Sequence, residues 1–190
     1  TGLEEITVEA LERYGECPRK FYYQDILKLR SRTERGPYLR FISVVRSTVK
    51  WLRATPSSEW GGMGQQFSEN WQEHGPADHP HGVLYERTAM QMLALAQKEL
   101  GAPGLPTALG LVVAGKKVVA TADNIQASAS GIIIQRLKAG RLAKKEKMRV
   151  RDALIYSIVA RETPGSRVGF ERVSLWTGER SSGGAVNHDI

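Results

Sequence analysis

The stretch Leu11-Glu12-Arg13-Tyr14-Gly15-Glu16-Cys17-Pro18-Arg19-Lys20-Phe21-Tyr22-Tyr23 decides how this chain is read, with Arg136-Leu137-Lys138-Ala139-Gly140-Arg141 as its counterpart downstream. Just before the first stretch, Thr7 offers a side-chain oxygen to cap a short helix through Tyr14, in which Glu9 and Glu12 flank Val8 and Leu11. Pro18 suits the first turn of a second helix, where its missing N–H is harmless. Phe21, Tyr22, Ile26 and Leu29 then recur near helical spacing, which predicts one buried face.

Working outward, Gly36-Pro37 breaks the chain, and a third helix is predicted from Leu39 to Leu52 with Val45, Val49 and Leu52 on one side. The Gly-, Ser-, Pro- and His-rich segment from Pro56 to Gly82 reads as a surface excursion with a short helix around Gln65 to Gln72. Val83 to Leu100 has the pattern of an amphipathic helix, with Ala89, Met92, Leu93 and Leu100 as buried candidates and Gly101 and Pro103 closing it. Ala108 to Val113 and Lys117 to Ala122 are β-type runs joined by Ala114-Gly115-Lys116, and Ser128 to Gly131 marks another turn. Gly131-Ile132-Ile133-Ile134-Gln135 is apolar enough for a central strand. A basic linker leads to a helix from about Lys147 to Ala160, and Val168 to Trp176 forms a further strand turned by Thr177-Gly178-Glu179. The expected organisation is one α+β domain over residues 1–180, mainly helical to 105 and strand-rich from 106, with a flexible tail over 181–190.

At 190 residues the chain can bury a substantial core within one domain. It contains no apolar run of the roughly 18 residues that a membrane span needs. The start shows no secretory signal and no initiator methionine, so a piece of a longer cytoplasmic protein is expected. One cysteine excludes an internal disulfide and any four-cysteine zinc or iron–sulfur site within this chain. The net charge of +7 favours an acidic partner, and its distribution is uneven. From Arg136 to Arg151 eight basic residues (Arg136, Lys138, Arg141, Lys144, Lys145, Lys147, Arg149, Arg151) face one acid, Glu146. A solvated loop and helix face would look the same.

The opening stretch is similar to the "LxxYxxCPxxFyy" signature of the RecB-like branch of the PD-(D/E)XK nuclease superfamily, as found at the C-terminus of UvrD/Rep-type superfamily 1 DNA helicases. The likeness spans roughly Ile6 to Glu179, and Val173-Ser174-Leu175-Trp176-Thr177-Gly178-Glu179 resembles the family's closing strand and turn. The resemblance implies a restriction-endonuclease-like core, a mixed central sheet flanked by helices. It also implies a site built from a helical His, an Asp, an Asp-x-Lys and a Gln-x-x-x-Tyr helix around magnesium or manganese, hard cations that prefer carboxylate oxygen.

Carried over, the His position falls on Arg46, the first Asp on Asp123, the Asp of Asp-x-Lys on Arg136, its Lys on Lys138, the Gln on Asp152 and the Tyr on Tyr156. Two metal-side groups have thus become arginines. A guanidinium about 4 Å from a divalent ion opposes it by ~4 kcal/mol per charge pair at intermediate dielectric. The expectation is a degenerate site without metal, in which Arg136 pairs with Asp123 and occupies the vacated cation position.

Other signals are weaker. Gly110-Leu111-Val112-Val113-Ala114-Gly115-Lys116-Lys117 nearly spells a phosphate-binding loop but lacks the final Ser/Thr and runs on as strand, so ATP binding is not expected in this fragment. His74, His79 and His81 lack companion ligands at metal spacing, and Cys17 is expected to pack. Trp51, Trp60, Trp71 and Trp176 sit in apolar contexts that favour core or rim packing over base stacking.

The resulting expectation is a catalytically degenerate nuclease domain that binds DNA, above all single-stranded, or docks partners during repair or recombination. Its ATP-driven motor would lie in the remainder of a parent helicase, and other partners would be repair or recombination subunits. Arg136, Lys138, Arg141, Lys144, Lys145, Lys147 and Arg149 are the candidate phosphate contacts. Two alternatives are a surviving nuclease using Asp123, Asp152 and Lys138 with magnesium or manganese, and a protein-interaction module that binds no nucleic acid.

Overall fold

The computed structural model describes residues 5–29, 36–101, 108–113, 116–128, 131–143 and 149–183. Thr7 caps the first helix as its sequence dictates, its hydroxyl accepting from Ala10 N at 3.2 Å. A short strand β1 (Glu5–Thr7) precedes this helix, α1 (Val8–Glu16), and α2 (Pro18–Phe21) follows after Cys17. The chain then makes a π-helical turn over Tyr22–Ile26.

This turn overturns the expected buried face. Tyr22, Ile26 and Leu29 are 50%, 42% and 55% exposed, because the wider π turn inserts a residue and moves apolar positions off a common stripe. Lys28 ends the segment in the left-handed region at φ 54°, and Leu29 N donates back to Tyr23 O at 2.9 Å. A bidentate fork from Arg13 Nε and Nη2 to the two oxygens of Asp25, both at 2.7 Å, folds this turn against α1.

The helical core forms from α3 (Pro37–Ala54), α4 (Met63–His74) and α5 (Gly82–Leu100), with a 3-10 turn over Ser57–Gly62 between the first two. Phe41, Val45, Val49 and Leu52 of α3 meet Ala89, Met92, Leu93 and Ala96 of α5. The segment read as a surface excursion is partly core. Phe67 and Trp71, four residues apart on α4, are buried in this cluster, which a Gly- and His-rich composition hides. Gly75 is required directly after them: a Cβ there would lie 2.5 Å from Trp71 O and 2.7 Å from its indole. Trp51, Trp60 and Trp176 pack against the same cluster, and the Trp60 indole N–H donates to Leu52 O and Thr55 O.

The remaining strands are β2 (Ala108–Val113), β3 (Lys116–Thr121), β4 (Asn124–Ser128), β5 (Gly131–Lys138), β6 (Val168–Ser174) and β7 (Arg180–Gly183), with α6 (Val150–Glu162) between β5 and β6. One sheet has the order β1-β3-β2, with β1 parallel and β2 antiparallel to β3. The other has the order β4-β5-β6-β7, in which β5 and β6 are parallel and the outer pairs antiparallel. The apolar strand is therefore internal, as its composition predicts. Helix α6 makes the crossover that a parallel pair demands and buries Ile155, Ile158 and Val159 against Ile125, Ile134 and Phe170. The tail correction is also physical: Ser181 and Ser182 pair with Arg172 and Glu171, extending the sheet into the part expected to be flexible. Residues 114–115, 129–130, 144–148 and 184–190, which include the two turn centres and the predicted start of α6, lie outside the described residues.

Two outcomes follow. Trp71→Ala lowers unfolding stability by about 3–5 kcal/mol in urea titration, while Leu84→Ala, at 63% exposed, stays within about 0.5 kcal/mol. The Arg13 guanidinium holds the Asp25 carboxyl below its ordinary value, chiefly through its hydrogen bonds. The fork's contribution is therefore complete above the unfolded carboxylate pKa and is lost as pH falls through the lower folded value. Asp25→Asn costs about 0.5–1 kcal/mol at neutral pH, and the difference from wild type vanishes in acid.

Candidate functional site

Helix α3, the junction of β3 and β4, strand β5 and the start of α6 converge at one place. α3 carries Arg46, Lys50 and Arg53 at helical intervals of four and three, hence on one face. β3 and β4 are separated only by Ala122 and Asp123, which sets the carboxylate at their junction. Arg136 and Lys138 alternate along β5 and share a face, while Arg149 and Arg151 flank the start of α6. Together they line a cleft of about 330 Å³ whose apolar floor includes Val45, Val49, Leu137 and Leu175. Among the described residues of its lining, Asp123 is the one acid against seven cations.

Asp123 is nearly buried and held from three directions. Its Oδ1 accepts from Arg53 Nη1 at 2.9 Å and Arg151 Nη2 at 3.1 Å, and its Oδ2 accepts the Leu137 backbone N–H at 2.9 Å. The same guanidiniums also donate to Ala122 O and Thr121 O. One carboxylate thus ties α3, α6 and β5 to the β3–β4 junction.

Arg136 does not pair with Asp123, contrary to expectation. Its Nη1 donates to Asp152 Oδ2 at 2.7 Å, and both side chains are largely buried, at 14% and 2% exposed. The reason is alternation: Asp123 meets β5 at the Leu137 backbone, whereas the Arg136 side chain turns toward the first turn of α6. There Asp152 also complements the helix dipole.

This donor set does not fit a hard divalent cation. Asp123 spends both oxygens on arginine and backbone donors, Asp152 holds a buried guanidinium, and further cations line the remaining wall. Among the described residues no group of three His, Cys, Asp or Glu is arranged to hold a metal. The chemistry the cleft offers is to anions. Arg46, Lys50 and Arg149 are exposed and have no paired acid among the described residues. Among the described residues the buried Nε of Arg53 has no hydrogen-bond acceptor, while that of Arg151 lies 3.6 Å from Glu9 Oε1.

Of the residues singled out by sequence, Arg46, Asp123, Arg136, Lys138 and Arg149 come together here. Asp152 sits behind Arg136, and Tyr156, one turn further along α6, packs in the core. Arg141 is exposed just beyond β5, whereas Lys144, Lys145 and Lys147 lie outside the described residues. Lys50, Arg53 and Arg151 were missed. Their signal was present, since 46, 50 and 53 form a basic helical stripe and Arg151 sits two residues from Arg149.

The opposite face of β5 carries a second polar cluster. Gln135 Nε2 donates to Glu171 Oε2 at 2.9 Å, Asn124 Nδ2 donates to Gln135 Oε1 and to Glu99 O, and Arg180 bridges Glu99 and Glu171. These bonds lock the end of α5 to the sheet and satisfy one another, a structural role.

No known family profile matches this chain, and no curated protein matches it. A solved structure described as the crystal structure of SSO0001 is similar, at 16% identity, over 96% of this chain and 68% of that one, with a TM-score of 0.39.

The buried ion pair gives a test by urea denaturation. Asp152→Ala strands the Arg136 guanidinium and costs about 3–5 kcal/mol, whereas the apolar pair R136M/D152L stays within about 1 kcal/mol of wild type or above it.

Proposed function

We propose that this chain is a catalytically degenerate RecB-like PD-(D/E)XK nuclease domain of a DNA helicase or helicase–nuclease subunit. In this reading it holds DNA by its phosphates during repair or recombination. The observation that carries the reading is the clamp on Asp123: a carboxylate at a strand junction, beside an Arg-x-Lys strand, is consumed by Arg53 and Arg151 within a cationic cleft.

The order of elements supports it. Helix α5, strands β2 to β5, helix α6 and strand β6 follow the order of helices, strands, helix and strand read from the sequence, although the strands divide between two sheets where the resemblance implies one central sheet. The positions corresponding to the family's acids then fall at one cleft. Where an active enzyme would concentrate negative charge for a metal, this chain concentrates positive charge. Arg46, Lys50 and Arg149 supply phosphate contacts at the rim. The cleft volume falls within the range of about 300–1,000 Å³ typical of ligand sites.

Equilibrium binding of a labelled oligothymidylate at several salt concentrations tests this. Three rim contacts give a log–log salt slope of about −2 or steeper, a loss of roughly 20-fold for a fourfold rise in salt. The variant R46A/K50A/R149A flattens that slope by about 2 units. Labelled strands stay intact with magnesium or manganese. A flat salt response in wild type, or cleavage abolished by Asp123→Asn, defeats the proposal.

A further inference from the structure

Exposed apolar surface gathers on the opening helical segment. Tyr14, Tyr22 and Tyr23 are 56%, 50% and 51% exposed, and Ile26, Leu27 and Leu29 continue the patch. Three exposed cations, Arg19, Lys20 and Lys28, are interleaved with these rings. The acids balance them poorly, because Asp25 is already held by Arg13 and only Glu16 remains on this stretch.

The aromatic groups are held in place. Tyr22 and Tyr23 meet edge to face at 5.7 Å and 63°, and Tyr14 meets Phe21 likewise at 5.5 Å and 86°. The π turn that keeps Tyr22 and Tyr23 at the surface is closed by Leu27 N donating to Tyr22 O at 2.9 Å. The segment is also fixed beside the cleft. Glu12 Oε1 accepts the Arg151 backbone N–H at 3.0 Å, and Glu9 Oε1 lies 3.6 Å from Arg151 Nε. α6 begins without a side-chain cap of its own, so Glu12 of α1 supplies one, and α1, whose C-terminal end leads into the aromatic segment, is fixed beside the start of α6 that carries Arg149.

Exposed cations beside the rings, Arg19 and Lys20 between Tyr14 and Tyr22 and Lys28 beyond Tyr23, distinguish this patch from a protein-docking core, where charged groups are depleted. The combination matches unpaired nucleotides, whose bases stack on rings while their phosphates need neutralising. We infer that the segment from Tyr14 to Lys28 is a base-stacking platform for single-stranded nucleic acid whose backbone continues into the cationic cleft. This rests on the phosphate-binding reading of that cleft and adds to it a preference for unpaired strands.

The test compares wild type with Y22A/Y23A and Y22F/Y23F, using a labelled oligothymidylate and a labelled duplex of equal length. Because both tyrosines are exposed on a helix, neither variant disturbs the core. The alanine variant lowers single-strand affinity about 5- to 150-fold per stacked base, leaving the salt slope and duplex affinity unchanged, and the phenylalanine variant retains wild-type affinity. Equal single-strand affinity of wild type and Y22A/Y23A overturns the inference, as does an equal loss on duplex. Sedimentation showing that Y22A/Y23A only abolishes self-association also overturns it, in favour of a protein interface. The cleft reading fails separately, through the salt slope of R46A/K50A/R149A.

Discussion

Asp123 is the point on which the fold's halves agree. Its two oxygens collect a donor from α3, one from α6 and one from the β5 backbone, so the helical core, the crossover helix and the sheet share a single anion. In this setting a carboxylate with fewer than two arginines would leave room for another cation. With both present, its oxygens are fully taken, and the cleft keeps a surplus of cations at its rim.

That surplus follows from how the arginines are distributed. Arg136 is neutralised by Asp152 behind the wall and contributes shape more than charge to the opening. Arg53 and Arg151 are held by Asp123, and Arg151 Nε also lies 3.6 Å from Glu9. Arg46, Lys50 and Arg149 are exposed and have no paired acid among the described residues. The result is a graded surface, with exposed rim charges suited to attracting a polyanion and deeper guanidiniums committed to Asp123. Exposed charges of this kind are screened by salt, while the inner pairs are not.

Much of the architecture was legible in the sequence because it rests on local rules. The Thr7 cap, the Pro18 start, the α3 and α5 stripes and the apolar Gly131–Gln135 strand each announce themselves within a few residues. The failures involved non-local choices. Phe67 and Trp71 look solvated beside glycines and histidines, yet α3 and α5 provide them with a groove. Tyr22, Ile26 and Leu29 have helical spacing, but a π turn breaks the phase. At the site the residue types were readable and the pairing was not. Which of three neighbouring arginines meets Asp123 depends on strand alternation and on the start of α6, and a change of one residue in register would swap them.

On the proposed reading, the cleft holds phosphate where an active nuclease of the resembled family would hold a metal. A crystal structure grown with a short single strand and excess Mn²⁺, with anomalous data collected for manganese, tests it directly. The account predicts phosphates against Arg46, Lys50 and Arg149, Arg53 and Arg151 still on Asp123, and no anomalous peak in the cleft. A manganese ion bound by Asp123, with those two arginines displaced from it, would contradict the account.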